Sequence, residues 1–200
     1  FTDYAACPDP VQLLSYIAAK TTTLELMPGA IILPWNDPLR VVEKMLMLDI
    51  LSEGRAILGM GRGAARREFR SFGVELADSR DCFAITEATI RLEGLETGIV
   101  EADGKWYRIP RTEIRPRPFR SFRDRAVMVS MSPSSVEVAG RYGLKALRFS
   151  QGDWTRALPE INGYRDHFRQ TQGREAPPFI ICDFIVCFDD RQKVIEYTDR

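Results

Sequence analysis

Residues 56–63, Ala56-Ile57-Leu58-Gly59-Met60-Gly61-Arg62-Gly63, carry the decision about the fold. Ala56 to Met60 is a short apolar run stopped by a glycine-arginine-glycine turn. A run of that length bounded by turn residues suits a strand buried on both faces. The turn has chemistry of its own. Glycines let a backbone approach a ligand closely, and an arginine between them can meet a phosphate through two parallel N–H contacts. A tight turn with a surface arginine would look the same.

Working toward the N-terminus, Asn36-Asp37-Pro38 is a helix start, with Leu39, Val42, Leu46 and Ile50 as its apolar stripe and Ser52-Glu53-Gly54 as its stop. Leu24 to Leu33 reads as a buried strand, in which Gly29 within Pro28-Gly29-Ala30 marks a bulge or a close approach to a planar ligand. Asp9-Pro10 opens an earlier helix with Val11, Leu14 and Ala18 on one face. Toward the C-terminus, a helix is expected over 80–96, with Ile85, Ala88, Leu92 and Leu95 on one side. A strand follows over 126–131, a helix over 134–141 ended by Gly143, and a strand over 146–149. A helix over 156–169, a strand over 179–188 and a helix from Arg191 complete the order. Residues 98–125 are an arginine- and proline-rich excursion, read as a solvated surface loop because the chain as a whole is neutral.

Strand and helix alternate, and the strands are apolar runs rather than alternating ones, which indicates a parallel sheet covered on both faces. A barrel and a doubly wound sheet both satisfy this. No strand is followed by GxGxxG with an acidic residue about 20 positions on, so the barrel is favoured. The expectation is an α/β chain, a (β/α)8 TIM barrel that is incomplete here. Residues 1–200 would form one partial barrel domain, since five strands are read where a closed barrel has eight.

The 28 Lys and Arg balance 28 Asp and Glu, which gives no reason to expect a nucleic-acid partner. The longest apolar stretch, Phe179 to Phe188, is too short for a membrane span and contains Asp183. Residues 1–9 lack a basic start followed by an apolar stretch, so no signal peptide is read. Cys7, Cys82, Cys182 and Cys187 form no CxxC pair and His167 is the only histidine, so no zinc cluster is expected. The cysteines read as reduced thiols of a cytoplasmic protein, with Cys182 and Cys187 on opposite faces of one strand. His167 lies in a polar helix and reads as a surface residue.

Function in a parallel barrel collects at the C-terminal ends of the strands. Besides Gly61-Arg62-Gly63-Ala64, the segment Ser130-Met131-Ser132-Pro133-Ser134-Ser135 runs from a strand into a helix through hydroxyl residues. Free backbone N–H groups and serine hydroxyls there suit a phosphate, and simple capping by Ser132 or Ser134 would use the same residues.

The order Ile31-Ile32-Leu33-Pro34, Asp37-Pro38-Leu39-Arg40, Glu43, Leu48-Asp49, Leu51-Ser52-Glu53-Gly54-Arg55, Gly59-Met60-Gly61-Arg62-Gly63, Glu68-Phe69 and Phe72-Gly73 resembles the bacterial luciferase-like flavin monooxygenases. The likeness continues through Ser79-Arg80, Glu87, Gly98, Pro116, Pro118 and Ser132 to Gly143, and is looser beyond residue 150. The resemblance implies a (β/α)8 barrel of which strands three to seven are present. It implies reduced FMN supplied by a flavin reductase, with O2 and a small organic substrate as co-reactants, in a homodimer. It places the phosphate at Arg62, Ala64, Ser132 and Ser135 beside Gly61, and a non-proline cis peptide at Gly29-Ala30 against the flavin ring. A deazaflavin (F420) dependent oxidoreductase on the same barrel and a non-catalytic flavin-binding subunit are the alternatives. Two departures stand out. Such proteins carry a His-His-Phe-Thr motif where this chain opens Phe1-Thr2-Asp3-Tyr4, so the histidines are expected before Phe1 and no catalytic residue is assigned within the chain. An acidic residue that some relatives place ahead of the serines is Met131 here.

Overall fold

In a computed structural model, the structure describes residues 7–88, 90, 94–150, 154–183 and 187–198. Helix α1 (Pro10–Ala18) starts where Asp9 accepts hydrogen bonds from the N–H groups of Val11 and Gln12, with proline in the first turn. Val11 and Ala18 are buried and Leu14 is half-buried, as the spacing predicts. Strand β1 (Ile31–Ile32) and helix α2 (Pro38–Leu51) follow, the helix capped by Asp37. Then come β2 (Leu58–Gly61), α3 (Arg66–Ser71), α4 (Ser79–Ala88) and α5 (Leu95–Thr97). The hairpin strands β3 (Ile99–Asp103) and β4 (Arg108–Glu113) precede β5 (Ala126–Val129), α6 (Pro133–Arg141) and β6 (Lys145–Phe149). Helix α7 (Trp154–Gln172), strand β7 (Ile180–Cys182) and helix α8 (Arg191–Thr198) end the order.

The main sheet runs β1-β2-β5-β6-β7, and each neighbouring pair is parallel. All four residues of β2 are buried, which explains why the sequence shows an apolar run instead of alternation. Behind the sheet, α6 and α7 approach closely. A side chain at Gly140 would come within 3.1 Å of the Tyr164 carbonyl, and the Tyr164 hydroxyl donates to the Leu144 carbonyl at 2.9 Å.

Several elements differ from the sequence reading. The strand expected over 24–33 is only Ile31–Ile32, preceded by an isolated bridge between Leu26 and Ala56. Pro28 has no N–H to give to a ladder. Gly59 of β2 packs so closely there that a Cβ would lie 1.8 Å from the Pro28 carbonyl oxygen. The strand expected over 179–188 is Ile180–Cys182, so Cys187 does not share it; residues 184–186 lie outside the described residues. In α2 the buried face is Val41, Val42, Met45, Leu46, Leu48 and Asp49, while Ile50 is exposed. Leu92 of the expected apolar stripe lies outside the described residues, as do Phe1 to Tyr4.

The excursion is not merely a loop. β3 and β4 pair antiparallel, and the segment after them is tied down at the N-terminal ends of β2 and β5. There the buried Asp49 carboxylate accepts from Arg125 Nη1 at 2.6 Å and from the Phe119 N–H at 2.8 Å. Arg125 also donates to the Gly54, Ala56, Ser121 and Arg120 carbonyls, and its guanidinium lies 4.0 Å above the Phe122 ring.

Candidate functional site

The register aligns Ile32 with Gly61 and Met60 with Met128, so the turns leaving β2 and β5 emerge side by side at one rim. The peptide bond between Gly29 and Ala30 is cis. A Cβ at Gly29 would meet nothing within 4 Å, while one at Gly61 would touch Ala30 Cβ at 3.3 Å. The cis peptide is thus open on its Gly29 flank and lies against the end of β2.

Arg62 is half-buried, and its Nη1 donates to Ser79 Oγ at 3.0 Å. Ser79 is fully buried and donates to the Leu76 carbonyl at 2.7 Å, which fixes its lone pairs toward the arginine. Burial, and then the positive charge of Arg80, lower the Arg62 pKa from its ordinary value. Among the described residues no carboxylate pairs with either guanidinium. The sequence marks Arg80 only within the resemblance, because its effect on Arg62 depends on the fold of α3 and α4. Ala64 is exposed on the same turn.

Beside it, β5 runs into α6 through a reciprocal cap. Ser132 Oγ accepts from the Ser135 N–H at 3.3 Å, and Ser135 Oγ accepts from the Ser132 N–H at 3.0 Å, with Pro133 in the first turn. The capping reading of Ser132 is therefore realised, and Ser134 lies within α6. Pro133 has no N–H and the Ser135 and Val136 N–H groups go to Ser132, so the Ser134 N–H alone is left over in the first turn, at the C-terminal end of β5 where the helix dipole is positive. Met131 Sδ accepts from the Phe149 N–H at 3.3 Å, so Met131 links the end of β5 to β6.

The hairpin tip reaches this rim as well. Tyr107 Oη lies 3.5 Å from the Asn36 carbonyl and 3.6 Å from Cys82 Sγ, and burial pushes its pKa up to about 12. His167 stands on α7 against Gly140 of α6, half-buried and away from the rim. A cavity of about 120 Å³ between Ala126, Lys145, Arg123 and Arg174 lies at the opposite, N-terminal ends of β5 and β6. Among the described residues no cluster of metal-ligating side chains occurs, and no helix is long and apolar enough to cross a membrane.

Residues 1–198 match the family model for luciferase-like monooxygenases. The chain belongs to that family. It is 30% identical over 146 residues to the alkanal monooxygenase alpha chain of Photorhabdus laumondii, which covers 72% of this chain and 40% of that one. The luciferase-like chain thus spans about two fifths of the length of that curated relative. Among solved structures it superposes on the monooxygenase RslO1 of Streptomyces bottropensis with a TM-score of 0.85 at 26% identity, covering 96% of this chain and 59% of that one. The oxygenating constituent of 3,6-diketocamphane monooxygenase of Pseudomonas putida, in complex with FMN, gives 0.77 at 18% identity and coverages of 93% and 55%. The coenzyme F420 dependent tetrahydromethanopterin reductase of Methanopyrus kandleri gives 0.75 at 23%, with 95% and 58% covered. These likenesses identify the five parallel strands as part of a (β/α)8 barrel.

Proposed function

We propose that the protein is a flavin-dependent monooxygenase that takes reduced FMN from a flavin reductase and uses O2 to oxygenate a small organic substrate. The observation that carries this reading is the placement of Arg62, with Arg80 beside it, next to the N-terminus of α6 on an adjacent parallel strand. A guanidinium fork and a helix N-terminus together suit a phosphate dianion. Gly61 and the open Gly29–Ala30 peptide would admit a flat ring alongside, and Ala64, Ser132 and Ser135 would frame the phosphate. When bound, reduced FMN supplies the two electrons with which O2 is split between product and water. The chain's own residues hold the phosphate, orient the ring and cover it.

The F420 reading is favoured by the likeness to the Methanopyrus reductase, because Arg62 and α6 would serve any phosphate-bearing flavin equally. A non-catalytic flavin-binding subunit would use the same groups. We place the protein in the cytoplasm, in keeping with the absence of a disulfide among the described residues, and as a homodimer. Exposed Leu13 and Tyr16 on α1 and Met47 and Leu51 on α2 support the latter.

The test is FMN affinity of the full-length protein and its Arg62→Ala variant, followed by flavin fluorescence. Loss of a hydrogen bond to a charged group predicts weakening by about 1.5–3 kcal/mol. Unchanged affinity would remove the phosphate assignment. Oxygen uptake with reduced FMN then separates the readings: the monooxygenase consumes O2 and oxygenates substrate, the F420 enzyme works without O2, and the binding subunit does neither.

A further inference from the structure

The Arg62 turn rests on an aromatic ring that none of these assignments uses. Gly63 has φ +86°, and a Cβ there would lie 2.7 Å from Trp35 Cη2 and 2.9 Å from Ile32 Cγ2. The turn therefore lies in direct contact with the Trp35 ring, at a distance only glycine permits. The ring is itself held in place. It meets Phe69 edge-on at 4.9 Å and stacks on Phe72 at 5.3 Å with 7° between the planes. Its backbone is closed by Asn36, whose Nδ2 donates to the Ile32 carbonyl at 2.7 Å. Phe69 is buried, whereas Phe72 is 52% exposed, so the stack spans from the core to the surface beside the turn.

We propose that Trp35 is a positioning residue for the phosphate grip: its ring, fixed by Phe69 and Phe72, sets the height of Gly63 and hence the aim of Arg62. The other end of that side chain is fixed by Ser79 Oγ. Arg62 is thus held at its backbone by an aromatic floor and at its guanidinium by a buried hydroxyl. An arginine has many rotamers, and a fork preset in one of them loses less freedom when an anion arrives. Trp35 does not touch the phosphate. Its influence passes through the turn, so it should be felt by a flavin that carries a phosphate and not by one that lacks it.

This inference rests on the proposed phosphate role of Arg62. The test compares oxidised FMN with riboflavin, which has the same ring and no phosphate, on the full-length protein and on Trp35→Leu, Trp35→Phe, Arg62→Ala and the Trp35→Leu/Arg62→Ala double variant. Trp35→Leu should weaken FMN roughly tenfold, part of the loss expected for one charged hydrogen bond, and change riboflavin affinity less than about twofold. Trp35→Phe, which keeps an aromatic floor, should restore most of the FMN affinity, and Trp35→Leu should add nothing on the Arg62→Ala background. Should Trp35→Leu not fold, Phe72→Ala, which removes the exposed half of the stack, should show the same FMN-selective loss. Equal weakening of both flavins, or of neither, overturns the positioning role while leaving the Arg62 assignment intact. An Arg62→Ala variant with an unchanged FMN-to-riboflavin ratio overturns the phosphate assignment, and the role of Trp35 with it.

Discussion

Replacing Asp49 should unfold this protein from the end of the sheet opposite the candidate site. Asp49 is fully buried at the end of α2, and its two oxygens receive Arg125 Nη1 at 2.6 Å, the Phe119 N–H at 2.8 Å and Arg125 Nη2 at 3.4 Å. In Asp49→Ala the Arg125 guanidinium would remain buried with only carbonyls as partners, and the Phe119 N–H would lose its acceptor. Removing one member of a buried pair costs about 3–5 kcal/mol, because the other charge stays uncompensated. Asp49→Asn keeps an acceptor for Phe119 and belongs at the lower end of that range. At about 2–4 °C per kcal/mol for a chain of this size, the melting temperature should fall by roughly 6–20 °C. The assay is urea denaturation followed by circular dichroism, with FMN affinity measured well below the melting temperature. Flavin affinity should be unchanged, since the clamp and Arg62 lie at opposite ends of β2 and β5. The Asp49→Leu/Arg125→Met double variant should recover much of the loss, as apolar replacements of buried pairs do. A loss below about 1 kcal/mol in Asp49→Ala, or weakened flavin binding without a change in stability, would refute the reasoning.

Tyr164→Phe should cost about 1 kcal/mol at neutral pH, by leaving the buried Leu144 carbonyl without its 2.9 Å donor. Burial pushes the Tyr164 pKa up to about 12, from an ordinary 10. Its neutral form therefore stabilises the fold fully below pH 10, and that contribution is lost as pH rises toward 12. Denaturation series from pH 8 to 12 should show the wild-type and Phe curves converging, and parallel curves would contradict the assignment. Gly59→Ala should destabilise by at least about 3 kcal/mol or prevent soluble expression, because its Cβ would sit 1.8 Å from the Pro28 carbonyl oxygen and neither backbone can yield. A Gly59→Ala protein melting within a few degrees of wild type would show that β1 and β2 separate more easily than their packing indicates.

What the sequence made legible was local. An apolar run stopped by Gly61-Arg62-Gly63 announces a strand end from eight neighbouring residues, and Ser132-Pro133 announces a helix start from two. The parallel sheet follows because every such unit repeats the pattern. What it hid was distributed. Asp49 and Arg125 are 76 residues apart, and nothing near either one shows that it is buried. The excursion read as a solvated loop because the chain as a whole is neutral, and β4 itself offers little apolar pattern: Arg108, Arg111 and Glu113 are exposed and Ile109 alone is buried. The Asp103-Gly104 turn between 99–103 and 108–113 was the available hairpin signal. The α2 stripe departs from the structure at its last member: Val42 and Leu46 are buried and Leu39 half-buried, but Ile50 is exposed with Met47 and Leu51, because the helix is apolar on more than one side and periodicity alone does not settle where its inward face ends.

The two ends of β2 and β5 treat charge in opposite ways, and that asymmetry is the strongest argument for where a ligand belongs. At the N-terminal ends, Arg125 is enclosed with an acid, four carbonyls and a ring, so each donor of its guanidinium has a partner within the chain. At the C-terminal ends, Arg62 is half-buried near a second arginine, with a single serine hydroxyl as its partner and a helix N-terminus alongside. Positive potential concentrated without a counter-charge raises the energy of the empty site and lowers that of one holding an anion. On the proposed function that place belongs to the phosphate of the flavin, with the Gly29–Ala30 peptide beside the same strand end.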